Sequence, residues 1–160
     1  MIAVDANVVV AFLLDSPMTP VARAVRARDA AWLAPPLCKS ELLNALLQET
    51  KARKITLRDA IDAAETCTRL LTDRMDGCEP SDILSVAHSS GLTAYDATYV
   101  VLARSLGVPL ITEDKQILRT CPDIARSMHQ FLEPRDEKPL AVREKPAGYK
   151  PPRKKKQGSA

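Results

Sequence analysis

The sequence predicts a single α/β domain with three layers, in which helices cover both faces of a mainly parallel sheet. Short runs of consecutive apolar residues alternate along the chain with segments of helical periodicity. The runs are continuously apolar, as is typical of parallel strands that are buried on both faces. A length of 160 residues, 46% of them apolar, suits one domain with one core.

The N-terminal part of the chain predicts two strands and two helices. Residues 2–5 (IAVD) form a short apolar strand, followed by a helical segment (VVVAFLL) that ends at Pro17. A basic helix is predicted over about 19–28, and a second buried strand over 30–35.

Three helices are predicted in the middle of the chain. The first covers about 37–53 and has Glu41 on its polar face. Its apolar stripe consists of Leu42, Leu43, Leu46 and Leu47. Thr56 opens a long helix to about residue 74, and Pro80 opens another that stops at Gly91.

The last part predicts a helix, a strand, a short helix and a weak final strand. The helix begins at Thr93 and ends at Gly107. Its predicted buried stripe consists of Tyr95, Tyr99, Leu102 and Leu106. Residues 108–112 (VPLIT) form a buried strand, EDKQILRTC continues as a helix, and the weak strand lies within 124–132.

Charge and composition divide the chain at Leu132. Residues 1–132 contain 14 basic and 16 acidic residues, whereas residues 133–160 contain 9 and 4. The second segment also has five prolines and few apolar residues. We therefore expect a domain over 1–132 and a basic, disordered tail over 133–160, which either binds nucleic acid or a partner or only solubilises the chain.

Cysteine spacing and hydropathy indicate a cytoplasmic protein without a membrane span. The four cysteines form no CxxC pair, and we interpret them as reduced thiols. The N-terminal apolar run is short and contains Asp5, and no stretch reaches the roughly 18 apolar residues that a span needs.

Four acidic residues are candidates for a functional site because of their positions relative to the predicted strands and helices. Asp5 and Asp114 follow the ends of two strands, where ligand sites form in open α/β sheets. Each acid also has an ordinary structural interpretation. Asp5 or Asn7 could cap a helix, Asp114 could lie in a first helical turn behind the cap Thr112, Asp96 could complete a capping box, and Glu41 could be a solvated surface residue.

Read together and in order, four segments resemble the motif regions of PIN-domain ribonucleases, particularly VapC-type toxins. The segments are VDANVVVAFLL, KSELLNALLQE, LTAYDATYVVLARSLGVPLIT and TEDKQIL, and the resemblance covers about residues 1–131. It implies a PIN-like fold. It also implies metal-binding and catalytic roles for Asp5, Glu41, Asp96 and Asp114, and supporting roles for Asn7, Thr112 and Asn44.

The chemistry of such a cluster points to a metal independently of the family. Converging carboxylates repel one another unless some stay protonated or a cation neutralises them. Oxygen ligands without His or Cys favour Mg²⁺, with Mn²⁺ as a substitute, over zinc. His88 and His129 lie outside the motifs, and we interpret both as structural or surface residues.

The resemblance implies a metal-dependent endoribonuclease, the toxin of a toxin-antitoxin pair, with a small antitoxin as partner and a homodimeric state. A housekeeping PIN nuclease and an inactive RNA-binding PIN module are the alternatives. A phospho-acceptor domain fits poorly, because position 7 is Asn and Lys115 lies at a helix start. Two basic clusters, residues 23–28 and 51–58, could steer RNA or could be solvated helix faces.

Overall fold

The computed structural model describes residues 1–75 and 77–134. Within them five strands form one sheet. The strands are β1 Ile2–Val4, β2 Trp32–Ala34, β3 Thr72–Asp73, β4 Leu110–Ile111 and β5 Ala125–Arg126. Their order is β3-β2-β1-β4-β5, and every neighbouring pair is parallel.

Helices occupy most of the chain between the strands and flank the sheet. They are α1 Ala6–Leu13, α2 Thr19–Arg28, α3 Leu37–Lys51, α4 Leu57–Leu70, α5 Pro80–Ser90, α6 Ala94–Leu106, α7 Lys115–Thr120 and α8 Met128–Leu132. A parallel sheet flanked by helices confirms the predicted α/β class.

The central strand β1 anchors the core. It pairs with β2 on one side and with β4 on the other, and all three of its residues are buried. Because all five strands are parallel, their carboxyl ends lie along one edge of the sheet, which we call the carboxyl edge, and their starts lie along the opposite, amino edge. Asp5 and Thr112 come directly after β1 and β4, so the sheet brings them together at the carboxyl edge.

Several helix ends follow the predicted local signals. Thr56 and Asp59 form a reciprocal capping box at the start of α4. Gly91 and Gly107 end α5 and α6 with φ values of 69° and 63°, in the left-handed region that only glycine enters without strain. The predicted helix stops at these two glycines are therefore confirmed.

The predicted helix from Thr56 to about 74 is too long. It ends at Leu70, Leu71 adopts an extended conformation, and Thr72–Asp73 form the edge strand β3. Both residues of β3 are exposed, so the strand has no apolar pattern that a sequence could reveal. The helix α8 after β5 was also not predicted; a Ser127–Gln130 capping box starts it.

Parts of two predicted apolar stripes are exposed. Tyr95 was predicted to be buried but is 68% exposed. It lies in the first turn of α6, which starts at the carboxyl edge, and the buried part of this helix begins at Ala97. On α3 only half of the predicted stripe is buried, since Leu43 and Leu47 are exposed whereas their neighbours Leu42 and Leu46 lie in the core.

The predicted tail lies almost wholly outside the described residues, so its disorder and the domain boundary stay predictions. Glu133, its first residue, accepts a hydrogen bond on its backbone carbonyl from Arg28 at 3.2 Å. None of the helices in the described residues is long and apolar enough to cross a membrane.

Candidate active site

Asp5 is buried at the carboxyl edge although nothing in its backbone role requires a carboxylate. Its backbone N–H continues the sheet by donating to the carbonyl of Ile111 at 3.0 Å. It stands at the N-cap position of α1, but its side chain makes no capping hydrogen bond. The residue is only 9% exposed. Helix capping therefore does not explain why an acid stands at this position.

Two polar side chains hold one oxygen of Asp5. The Thr112 hydroxyl donates to Asp5 Oδ2 at 2.6 Å, and the Asn7 amide donates to the same oxygen at 2.8 Å. Asn7 Oδ1 in turn accepts the backbone N–H of Glu113 at 3.1 Å. The network links the end of β1 to the end of β4 and leaves Asp5 a fixed orientation.

The pKa of Asp5 is raised from 3.8 to about 6, mainly because burial disfavours the charged form. The hydrogen bonds from Thr112 and from the backbone N–H of Ala6 oppose this rise. The negative charges of Glu41 and Asp96 add to it. Three of the four predicted acids therefore lie close enough to repel one another.

Glu41 reaches the site from the second turn of α3. Its Oε2 accepts a hydrogen bond from the hydroxyl of Tyr99 at 2.5 Å. Partial burial raises the pKa of Glu41 above its usual range, and the charge of Asp96 raises it further. Tyr99 was predicted to be buried, and it is, but its role as a polar partner of Glu41 was not predicted. A tyrosine among apolar residues one turn after Asp96 was the available signal.

Asp96 lies in the first turn of α6. Its Oδ2 accepts the hydroxyl of Thr93 at 2.7 Å, and its backbone N–H donates to the same hydroxyl at 3.1 Å. Thr93 thus caps the helix, as the structural interpretation of this segment expects. The carboxylate also contributes to the charge repulsion on Asp5 and Glu41, so the two interpretations are compatible.

Asp114 itself caps α7, whereas Thr112 was considered as the cap. Its Oδ1 accepts the backbone N–H groups of Gln116 and Ile117, both at 2.8 Å. Its own N–H donates to the Thr112 hydroxyl at 2.9 Å. Thr112 is therefore the common partner of the first and last acids of the predicted set.

The remaining predicted residues lie apart from this network. Asn44 is exposed on α3, and its side chain makes no hydrogen bond within the described parts of the chain. His88 and His129 are exposed. Within the described residues no hydrogen bond joins Asn44 to Glu41, and the supporting role of Asn44 stays a prediction.

The donor set suits a hard divalent cation in its chemistry. All candidate donors are oxygens, and none of the four acids forms an ion pair with Lys or Arg within residues 1–75 and 77–134. As the side chains stand, however, no three acidic, His or Cys side chains of these residues surround one point closely enough to hold an ion. One or two of these carboxylates, together with water, can hold Mg²⁺, whereas binding by three would require rotation of at least one of them.

Comparison with known proteins identifies the family. A family model of the PIN domain matches residues 2–121. The crystal structure of PAE2754 from Pyrobaculum aerophilum is similar, with a TM-score of 0.64 and 26% sequence identity over 81% of this chain and 91% of that chain. No curated protein matches at a significant level. The chain belongs to the PIN domain family.

This membership gives the general class of chemistry. PIN domains are generally metal-dependent nucleases, and they typically bind divalent cations, usually Mg²⁺. Their substrates are nucleic acids. The oxygen-only donor set at the carboxyl edge is consistent with that chemistry.

Proposed function

We propose that this chain is an endoribonuclease in which Asp5, Glu41, Asp96 and Asp114 hold Mg²⁺ or Mn²⁺. The observation that carries the proposal is the buried carboxylate of Asp5, which Thr112 and Asn7 hold at the carboxyl edge. Burial raises its pKa to about 6, and the negative charges of Glu41 and Asp96 add to the rise. Perturbed, uncompensated carboxylates in this arrangement are typical of functional sites.

In the proposed mechanism Asp5 is a ligand of the cation, and Thr112 and Asn7 orient it. When bound, a divalent cation supplies positive charge that acidifies water and offsets charge on the phosphate. Asp5 must lose its proton to serve as a ligand, and Thr112 and Asn7 keep its Oδ2 in one orientation. No Ser or His nucleophile is then needed.

The basic residues that we propose to contact RNA differ from the cluster on α2 that the sequence suggested. On α2, Arg26 packs over the ring of Trp32 and Arg28 over that of Phe131. Lys39 and Lys115 lie in the first turns of α3 and α7, which start at the carboxyl edge. Lys39 pairs there with the exposed carboxylate of Asp73, which an RNA phosphate would have to replace. We propose that these two lysines face the RNA backbone.

From the resemblance to VapC-type toxins we propose that the chain is the toxin of a toxin-antitoxin pair. It would then be inhibited by a small antitoxin protein and form a homodimer. An apolar groove between α3 and α4 supports a protein partner, since monomeric proteins rarely leave such patches uncovered. Its exposed apolar residues are Leu43, Leu47, Leu57 and Ile61.

Cleavage of circular RNA tests the enzymatic proposal. The purified full chain, treated with EDTA and dialysed, should leave the circle intact, and added Mn²⁺ or Mg²⁺ should restore linear products. A circle has no ends, so only endonucleolytic attack can open it. Cleavage that persists in EDTA would contradict the metal mechanism, and tight RNA binding without products would favour the inactive module.

Expression in bacteria tests the toxin role. The wild-type chain should arrest growth, Asp5→Asn at equal soluble level should not, and co-expression of a small neighbouring gene should restore growth. Normal growth with protein that cleaves RNA in vitro would contradict the toxin role and favour the housekeeping alternative.

A further inference from the structure

Tyr99 is the one tyrosine in the described residues whose hydroxyl reaches a candidate metal ligand. Its side chain is 1% exposed, on the buried face of α6, and its hydroxyl donates to Glu41 Oε2 on α3 across 58 positions of sequence. The thiol of buried Cys38, also on α3, interacts with the same hydroxyl. The polar end of Tyr99 is thus directed at α3 and away from solvent.

From this geometry we propose that Tyr99 is a positioning residue, which fixes the Glu41 carboxylate in register with Asp96 for cation binding. The inference rests on the proposed function, because it assumes that Glu41 is a ligand. Asp96 and Tyr99 stand three positions apart on α6, so they share one helix face. A hydrogen bond from Tyr99 to Glu41 therefore ties the ligand on α3 to the helix that carries the ligand Asp96.

Packing alone does not require this hydroxyl. The buried positions that follow Tyr99 on α6 are apolar, and a phenylalanine at position 99 would fill the same space. They are Val100, Val101, Leu102 and Ala103. Glu41 is only half-buried, so water can solvate its carboxylate without Tyr99. What the hydroxyl adds is a fixed rotamer for Glu41, which matters for a ligand and little for the core.

Removing the Tyr99 hydroxyl should lower the affinity for the cation strongly and the unfolding temperature only slightly. In Tyr99→Phe the ring remains and Glu41 becomes free to rotate. Loss of a group that orients a ligand typically lowers metal affinity about 10- to 100-fold. The unfolding temperature of the metal-free protein should change by only about 4 °C or less.

Calorimetric titration of Mn²⁺ into the metal-free full chain tests the inference. Tyr95→Phe is the matched control, because it removes a hydroxyl from an exposed ring on the same helix, next to Asp96. We expect a Kd for Mn²⁺ that is about tenfold or more weaker in Tyr99→Phe and unchanged in Tyr95→Phe. An unchanged Kd in Tyr99→Phe, or a fall in unfolding temperature alone, would overturn the positioning role.

A double-mutant cycle separates this inference from the proposed function. Glu41→Gln should weaken Mn²⁺ binding, and Tyr99→Phe should have little further effect in that background. If Glu41→Gln leaves the Kd unchanged, Glu41 is no ligand and the proposed site fails. If Glu41→Gln weakens binding and Tyr99→Phe does not, only the positioning role fails.

One more variant covers the case in which Tyr99→Phe does not fold. Glu41→Asp keeps the charge and leaves Tyr99 intact, but its side chain is one methylene shorter and should lose the hydrogen bond from the Tyr99 hydroxyl. Binding of Mn²⁺ should weaken about tenfold or more in this variant, whereas wild-type affinity would overturn the proposal.

Discussion

Asp5 and Asp123 stand at opposite edges of the sheet and have opposite electrostatic environments. At the carboxyl edge, burial raises the pKa of Asp5 to about 6, and nearby negative charges add to the rise. At the amino edge, Asp123 precedes β5 and accepts two hydrogen bonds from the Arg104 guanidinium, at 3.0 and 2.9 Å. This pairing holds the pKa of Asp123 below its usual range.

The opposite pKa shifts mean that ionised Asp123 stabilises the fold, whereas ionised Asp5 destabilises it. A shift from 3.8 to about 6 corresponds to about 3 kcal/mol of unfavourable free energy for ionised Asp5 in the metal-free protein. Ionised Asp123 carries no such unfavourable free energy, because it pairs with Arg104. Asp73, which ends β3 at the same carboxyl edge, is also paired, with Lys39. The unfavourable free energy is therefore specific to Asp5, which supports the proposed site around this residue.

The largest expected effect is the loss of cleavage in Asp5→Asn. The variant removes a ligand charge and keeps the shape of the side chain, so we expect the rate to fall roughly 100- to 1,000-fold. Initial rates at saturating RNA and Mn²⁺ measure this. Asp123→Asn serves as the control and should keep the wild-type rate; a loss below tenfold in Asp5→Asn would remove Asp5 from the site.

The second prediction concerns the pH dependence of stability in EDTA. Folded Asp5 keeps its proton up to about pH 6, whereas an unfolded aspartate loses it near 3.8. The folded state binds more protons between these values, so the stabilising contribution of Asp5 is complete below 3.8 and is lost as the pH rises through 6.

Asp5→Asn should abolish that pH-dependent loss. At pH 7.5 the metal-free variant should be more stable than the wild type, by up to about 3 kcal/mol, and the difference should shrink towards pH 4. Urea unfolding at both pH values measures it. Equal pH dependence in the two proteins would show that the Asp5 pKa is not raised.

A smaller effect is expected from Thr112→Val. Thr112 is fully buried, and its hydroxyl contacts both Asp5 and the N–H of Asp114. Losing it should weaken Mn²⁺ binding about tenfold and destabilise the fold by about 1 to 2 kcal/mol. Thr98→Val is the matched control, because within residues 1–75 and 77–134 that buried hydroxyl bonds only to the Ala94 carbonyl of its own helix. Equal Mn²⁺ affinities in the two variants would count against the role of Thr112.

The smallest effect is expected for the stability of Asp123→Asn, at the amino edge. Both Asp123 and Arg104 have side chains more than a third exposed, so their pair contributes only about 0.5 kcal/mol. Because the pKa of Asp123 is lowered, that contribution is present at neutral pH and is lost as the pH falls below about 4. Urea unfolding of Asp123→Asn should show this small deficit, and a deficit as large as that of Thr112→Val would blur the contrast between the edges.

Much of the fold could be predicted because its signals are local. The apolar runs that became β1, β2 and β4 are continuous, and Gly91 and Gly107 end their helices through backbone conformation. The strand β3 could not be predicted, since its two exposed residues pair with β2 through backbone groups alone. Burial of Tyr95 was wrongly predicted because periodicity does not reveal where a helix extends past its sheet.

The candidate site divides in the same way. The contacts of Asp5 with Asn7 and Thr112 follow from the meeting of two strand ends, which a parallel sheet makes predictable. The bond from Tyr99 to Glu41 depends on how α3 packs beside α6, and no local pattern specifies that. Helical spacing places Asn44 one turn from Glu41, but the exposed side chain of Asn44 leaves its supporting role a prediction.

Mn²⁺ binding measured by calorimetry on the metal-free full chain tests the central claim most directly. The wild type and Asp123→Asn should bind with equal affinity, and Asp5→Asn should bind at least about tenfold more weakly. Binding to the wild type should also release protons at pH 5.5 and almost none at pH 7.5, because Asp5 must ionise to become a ligand. Wild-type affinity in Asp5→Asn, with the same proton release, would contradict a metal site at the carboxyl edge.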